Sequence, residues 1–238
     1  MQAHLPKPLH GWRAFAGEVG VVVLGVLIAL GAGQFVQYLN DRSAADEARK
    51  NIRAELAVNI GRMQSADGRT ACLTRRLAEI ALFLEQARRG RSLAAVTWIG
   101  RPPAWDMEDA RWQAATSAGR SSLFSPDEQA AIGDVYSLMA DYQGQIRVEQ
   151  EAWAKLRGLA GLEHLSEARD SSLSDALQQA RYSQWVLNID SMQAQDAAKR
   201  LGIRATPVPR SLSPLCLPTD TLPAEAMKRP DNEYGEPL

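Results

Sequence analysis

Few residues in this chain have the types and spacing that chemistry requires. The two cysteines, Cys72 and Cys216, lie far apart and in neither CxxC nor zinc-finger spacing. An even pair behind an export-type N-terminus is compatible with one disulfide in an oxidising compartment, the alternative being two separate buried thiols. Of three histidines, His4 and His10 fall in the N-terminal tail. His164 stands alone in a polar connection and reads as a solvated surface residue. Asp106, Glu108, Asp109 and Arg111 cluster near Trp105 and Trp112, where a carboxylate site is conceivable. Helix-start charges give the same pattern without any function, and that reading is preferred. Trp98, Trp105, Trp112, Trp153 and Trp185 read as core and inter-helix packing rather than an aromatic ligand box. No Walker, GxGxxG, HExxH, GxSxG or EF-hand spacing occurs. The chain is therefore read as a non-enzyme, with no catalytic, cofactor-binding or metal-binding residues and no cofactor.

The elements that hold these residues begin with an uncharged run over 19–40. It is about 22 residues, or roughly 33 Å as a helix, against a hydrocarbon core of about 30 Å. Trp12 and Tyr38 flank it as interfacial aromatics. A cleavable signal peptide is the competing reading, with Lys7, His10 and Arg13 as its charged start and Ala29-Leu30-Gly31 as its cleavage site. The run continues through Phe35, Val36 and Leu39, past a typical signal core, so it is read as a retained transmembrane anchor in the lipid bilayer. Gly25, Ala29 and Gly33 recur every fourth residue, a small-residue face suited to transmembrane packing.

Lys7 and Arg13 precede the run, while Arg42, Arg49, Lys50 and Arg53 follow it. That count favours a cytoplasmic C-terminal side, whereas the cysteine pair favours the periplasm. The periplasmic orientation is adopted.

Residues 18–34, EVGVVVLGVLIALGAGQ, followed by an acidic-basic helix, resemble an uncharacterised family of bacterial single-pass inner-membrane proteins. In that family a GVLLALGA-like anchor precedes a helical extracytoplasmic region. The resemblance covers roughly the first ninety residues, with fainter echoes at 112–119 and Cys216. It implies an inner-membrane location and no activity.

Beyond the anchor the composition is that of helices: Ala, Leu, Gln, Glu and Arg dominate, and aromatics make up 6 %. A four-three stripe runs through Ala45, Ile52, Leu56, Met63, Ala66, Leu73, Leu77, Ile80, Leu84 and Ala87, with Asn59 and Thr70 inside it. It predicts one long helix from Asp41 to about Arg89, with any kink at Asp67-Gly68 and a stop at Gly90. Gly61 weakens it. Residues 90–106 read as loop, and 108–117 as a short helix closed by Gly119. Ser125-Pro126-Asp127-Glu128 is a capping box. It opens a helix whose seam is Ile132, Val135, Met139, Tyr142, Ile146, Trp153, Leu156 and Ala160, interrupted by Glu149. Ser172 to Asp175 open a third helix, on which Trp185, Ile189 and Met192 widen the apolar face, with Gly202 as its stop. Past Ile203, repeated prolines predict an extended tail.

These elements predict an all-α chain: tail 1–18, transmembrane helix 19–40, antiparallel helical bundle 41–203 and Pro-rich tail 204–238. Helix one would be about 70 Å long, against roughly 50 and 45 Å for the others. Its surplus should form a stalk next to the anchor, and a stalk with a bare seam wants a second copy, hence a parallel homodimer. An up-down-up path leaves the end of helix three far from the membrane, with the tail reaching back to Cys72. A net charge of −1 with interspersed signs excludes the basic face of a nucleic-acid binder. The function expected is a membrane-anchored scaffold or interaction protein with an unknown protein partner. The alternative is a helical sensory or ligand-binding module that signals through a partner.

Overall fold

The computed structural model describes residues 12–208 and 214–220. Lys7 and the tail beyond Asp220 lie outside the described residues. Five α-helices account for most of the rest, without a strand among the described residues: α1 (Trp12–Asp67), α2 (Thr70–Arg88), α3 (Ala110–Ser117), α4 (Pro126–Leu156) and α5 (Glu167–Arg200).

At 56 residues, α1 is about 84 Å long. Its N-terminal stretch is long and apolar enough to cross a membrane, and none of that window is buried against the rest of the chain. The helix begins at Trp12, so it takes in residues 12–18 of the segment expected as tail. It breaks at the expected place: Arg69 donates its N–H to Ala66 O (2.9 Å), and α2 resumes at Thr70. No bare stalk separates the apolar stretch from the bundle. Ala45, Ala48 and Ile52 are already buried, in one cluster with Ala115 and Phe124, because α3 and the turn after it wrap the base of the bundle.

The capping box at Ser125 forms as expected, its hydroxyl accepting from Glu128 N–H at 3.2 Å. By contrast α5 starts at Glu167, not at 172–175. Ser166 is the cap, accepting from Arg169 N–H (3.4 Å), and Glu167 and Asp170 complement the helix dipole in the first turn. Gly202, at φ 70°, ends α5 as predicted.

The direction of the helices differs from the expected path. Segment 89–109 does not stay at the far end; it descends the length of α2 and α1 in hydrogen-bonded steps. Arg76 holds Ile99 O (2.5 Å) and Arg62 holds Asp106 O (2.6 Å). Asn59, 0 % exposed, brackets Glu108 by donating to its carbonyl (2.6 Å) and accepting from its N–H (3.0 Å). Glu55 then accepts from Arg111 N–H (2.9 Å). Having been carried back to the base, the chain sends α4 up alongside α1 and α2, and α5 down. Arg49 meets Glu128 at the base (3.0 Å), and Arg88 meets Asp170 at the top (2.7 Å). The end of α5 therefore lies near the exposed apolar stretch of α1, with Arg53 bonded to Leu201 O (2.8 Å).

From there the tail climbs as a second strap. Thr206 donates to Ala57 O (2.8 Å), and its carbonyl lies so close over Gly61 that any Cβ there would overlap it. Gly61 is thus a docking point rather than a flaw in α1. Higher up, Cys216 is disulfide-bonded to Cys72 (S–S 2.05 Å), and Thr219 O accepts from Thr97 N–H (2.8 Å), joining the two straps.

The interior falls into two clusters. The lower one gathers Ile52, Leu56, Ile60 and Met63 of α1 with Ile132, Val135, Tyr136 and Met139 of α4 and the alanines at the end of α5. The upper one gathers Leu77, Ile80 and Leu84 of α2 with Trp153 and Leu156 of α4, Leu173 and Leu177 of α5, and Leu215 of the tail.

Candidate functional site

Between the two clusters, at the break from α1 to α2, the packing turns polar. Asp67, the last residue of α1, accepts from Ser191 Oγ (2.9 Å) and Gln195 Nε2 (2.8 Å) of α5. Gln184 donates to Thr74 Oγ1 (2.8 Å), and Gln145 to Ser183 Oγ (2.8 Å). A broken helix cannot present a continuous apolar ridge, so side chains from α1, α2, α4 and α5 meet over a cleft of about 40 Å³. Asp67, Arg69, Tyr142, Glu149 and Asn188 supply its polar wall, and Leu73, Ile146, Leu187 and Leu215 its apolar one.

Glu149 is the anomaly. It is 3 % exposed, and its Oε1 has no hydrogen-bond partner. Loss of hydration pushes its carboxyl up to about 8. The Tyr142 hydroxyl is raised by burial, and further by the charges of Asp67, Glu149 and Asp190. For Asp67, burial raises the pKa more than the Ser191 and Gln195 hydrogen bonds lower it. The arrangement can hold a proton or a small hydrogen-bonding group in a site poor in water.

Other expected site residues are scattered. Gly25, Ala29 and Gly33 sit exposed on the bare part of α1, and a Cβ at either glycine would meet nothing. The acidic cluster does not converge: Glu108 pairs with Arg62 (2.7 Å), Asp109 accepts from Gln113 (2.6 Å), and the Arg111 N–H goes to Glu55. Among the described residues no group of three His, Cys, Asp or Glu could hold a metal. His164 is exposed, as read from sequence. Trp98 and Trp153 are buried in the upper half, Trp105 and Trp112 half-buried.

Trp185 corrects the packing reading: it is 59 % exposed, with Tyr182 and Met192 also outward and Ile189 half-buried between them. Their three-four-three spacing forms one stripe on the outer face of α5, which no other helix among the described residues covers. The apolar face was visible in the sequence; the missing neighbour was not.

Two groups were not read as site residues. Glu149 had a signal, since it interrupts the α4 seam. Arg76 had none. Its guanidinium, 1 % exposed, donates to Ile99 O, Leu215 O and Leu217 O, pairs with Glu79 (2.9 Å) and lies over the Trp98 ring (5.3 Å). Compared with protein-family models, curated proteins and solved structures, the chain finds no match.

Proposed function

We propose that this chain is a membrane-anchored helical scaffold of the bacterial inner membrane, which presents its bundle on the periplasmic side and binds other proteins without catalysing a reaction. The observation that carries this reading is the Tyr182, Trp185, Ile189 and Met192 stripe. A contiguous apolar face with an exposed Trp and Met is the composition of an interface core, and a lone folded chain gains nothing by leaving it in water. The bare apolar span of α1 supplies the anchor. The likeness of residues 18–34 to a bacterial single-pass family supports the inner membrane. The Cys72–Cys216 bond supports an oxidising compartment, against the Lys and Arg count.

A parallel homodimer is the simplest assembly. Two anchored copies share a membrane plane, the Gly25, Ala29 and Gly33 faces are free to meet within it, and the α5 stripes run alongside. Labelling intact spheroplasts with a membrane-impermeant maleimide, with and without prior reduction, tests the orientation. Modification of Cys72 and Cys216 only after reduction is expected; modification only after lysis would put the bundle in the cytoplasm. Cross-linking of Trp185→Glu against the unsubstituted chain in native membranes tests the stripe, and an unchanged dimer yield would remove it. A ligand-binding module is the second reading, favoured by the Glu149 cleft.

A further inference from the structure

We propose that the exposed stripe of α5 docks on the outer face of α4 of a second copy of this chain, in a twofold-symmetric dimer where the contact occurs twice. The inference rests on the homodimer reading above and deepens it by naming the surface that receives the stripe. Contact between the anchors is no part of it.

The receiving face belongs to α4. Ser137, Ala140, Gly144 and Val148 follow one another at steps of three, four and four, so they share one side of the helix. Ser137, Ala140 and Val148 are exposed, and a Cβ at Gly144 would meet nothing within 4 Å. This side is low because its side chains are small. On α5, by contrast, Tyr182, Trp185 and Met192 stand out into solvent. A ridge fits a furrow better than it fits another ridge.

The heights of the two rows agree. Helices α4 and α5 run antiparallel, tied by Gln145 Nε2 donating to Ser183 Oγ (2.8 Å) and by the Arg169 guanidinium donating to Gly158 O (3.1 Å). Counted from those ties at about 1.5 Å per residue, Trp185 stands level with Gly144, Ile189 with Ala140, Met192 with Ser137 and Tyr182 with Val148, each to within about 3 Å. A twofold axis along the membrane normal, the symmetry open to two copies anchored side by side, leaves every residue at its own height. Set beside the α4–α5 face, it brings α5 of each copy opposite α4 of the other. Residues level within one chain then meet between two.

Charge separates this docking from its rival, in which the two α5 stripes meet each other. Asp196 and Lys199 continue the row beyond Met192, so the rival sets Asp196 on Asp196 and Lys199 on Lys199. With α5 on α4, Asp175 of one copy is level with Lys155 of the other to within about 3 Å. Lys199 and Arg200 fall between Asp127 and Asp134, with Asp196 the one acidic group beside them. Arg181 falls between Arg147 and Glu151, one of each sign. All these side chains are exposed, and the pairing of opposite signs sets partner and register.

The test places a photo-cross-linking phenylalanine analogue at position 185 of the full chain in native membranes, and maps the adducts within the covalent dimer by mass spectrometry. Adducts at 140–148 of the second copy are expected. Adducts at 182–192 would leave the homodimer standing and overturn this docking alone. No covalent dimer, or adducts to other proteins only, would overturn both readings. As a second measurement, Gly144→Trp is expected to lower the dimer yield by about tenfold or more, because the furrow is filled. The variant should melt as the native chain does, since its side chain enters open space. Ala78→Trp, on the exposed side of α2, is the control and should dimerise normally. An unchanged yield with Gly144→Trp would overturn the proposal.

Discussion

Above the α1–α2 break the bundle is tied by a covalent bond and a buried guanidinium, whereas below it the bundle relies on apolar packing, hydrogen bonds and partly exposed ion pairs. In the upper half, Arg76 and the Cys72–Cys216 bridge fasten both straps to α2 within two turns of helix. In the lower half, the straps are held by Asn59, Glu55 and Thr206, and a long apolar cluster does the rest. The difference follows from helix length. Below the break α1 offers a continuous ridge of Ile52, Leu56, Ile60 and Met63; α2 is a separate helix of 19 residues with less to bury. A short helix gains little stability from its own hydrogen bonds, so cross-links outside it carry more of the load.

The sharpest way to break the contrast is Arg76→Ala. It leaves buried carbonyls at Ile99, Leu215 and Leu217 without a donor and opens a void beneath Trp98. A loss of about 3 to 5 kcal/mol is expected, measurable by denaturant unfolding, with hydrogen exchange rising above the break first. Next in size, Cys216→Ala should cost about 2 to 4 kcal/mol by releasing a loop of 144 residues. Uniform loss of protection through both halves would show that they unfold as one unit.

Glu149 sets a pH dependence at the junction. Its carboxyl ionises near 4.5 when solvated and at about 8 in the folded chain. Between those values the folded state alone retains the proton, so stability is full at the acid end and falls as pH rises, by up to about 1.4 kcal/mol per unit. Glu149→Gln should flatten that slope, leaving a variant more stable than the native chain at pH 8. A parallel pH profile for the two proteins would refute the burial argument. Smallest is Gly61→Ala. Alanine in an open helix would stabilise by about 1 kcal/mol. Here the Cβ collides with the Thr206 carbonyl, so a net loss of about 1 kcal/mol is expected, confined to the lower half. The sign of that change is the readout.

Local signals were read well from sequence because they depend on neighbours within a turn or two. The Ser125 cap, the stops at Gly90 and Gly202, and the break at Asp67-Gly68 each rest on residues within five positions. The cysteine pairing was legible because two thiols admit one intramolecular bond. What failed was everything set by segments without a period. Residues 89–109 carry no helical rhythm, yet their descent reverses the direction of α4 and α5 and removes the expected stalk. Asn59 in the α1 seam was the one hint, since a buried amide needs a backbone to bond. Trp185 failed for a related reason: periodicity gives the width of an apolar face, not whether a neighbour exists to cover it.

The strap that climbs from α5 to Cys72 also has a consequence in time. A ribosome adding about 5 to 20 residues per second delivers Cys216 some 7 to 30 s after Cys72. For most of that interval α1 and α2 are complete while Leu215, the plug of the upper cluster, does not yet exist. The upper half therefore closes last, from the C-terminal end of the chain, and a nascent chain that stalls before residue 215 keeps a reactive thiol and an open top.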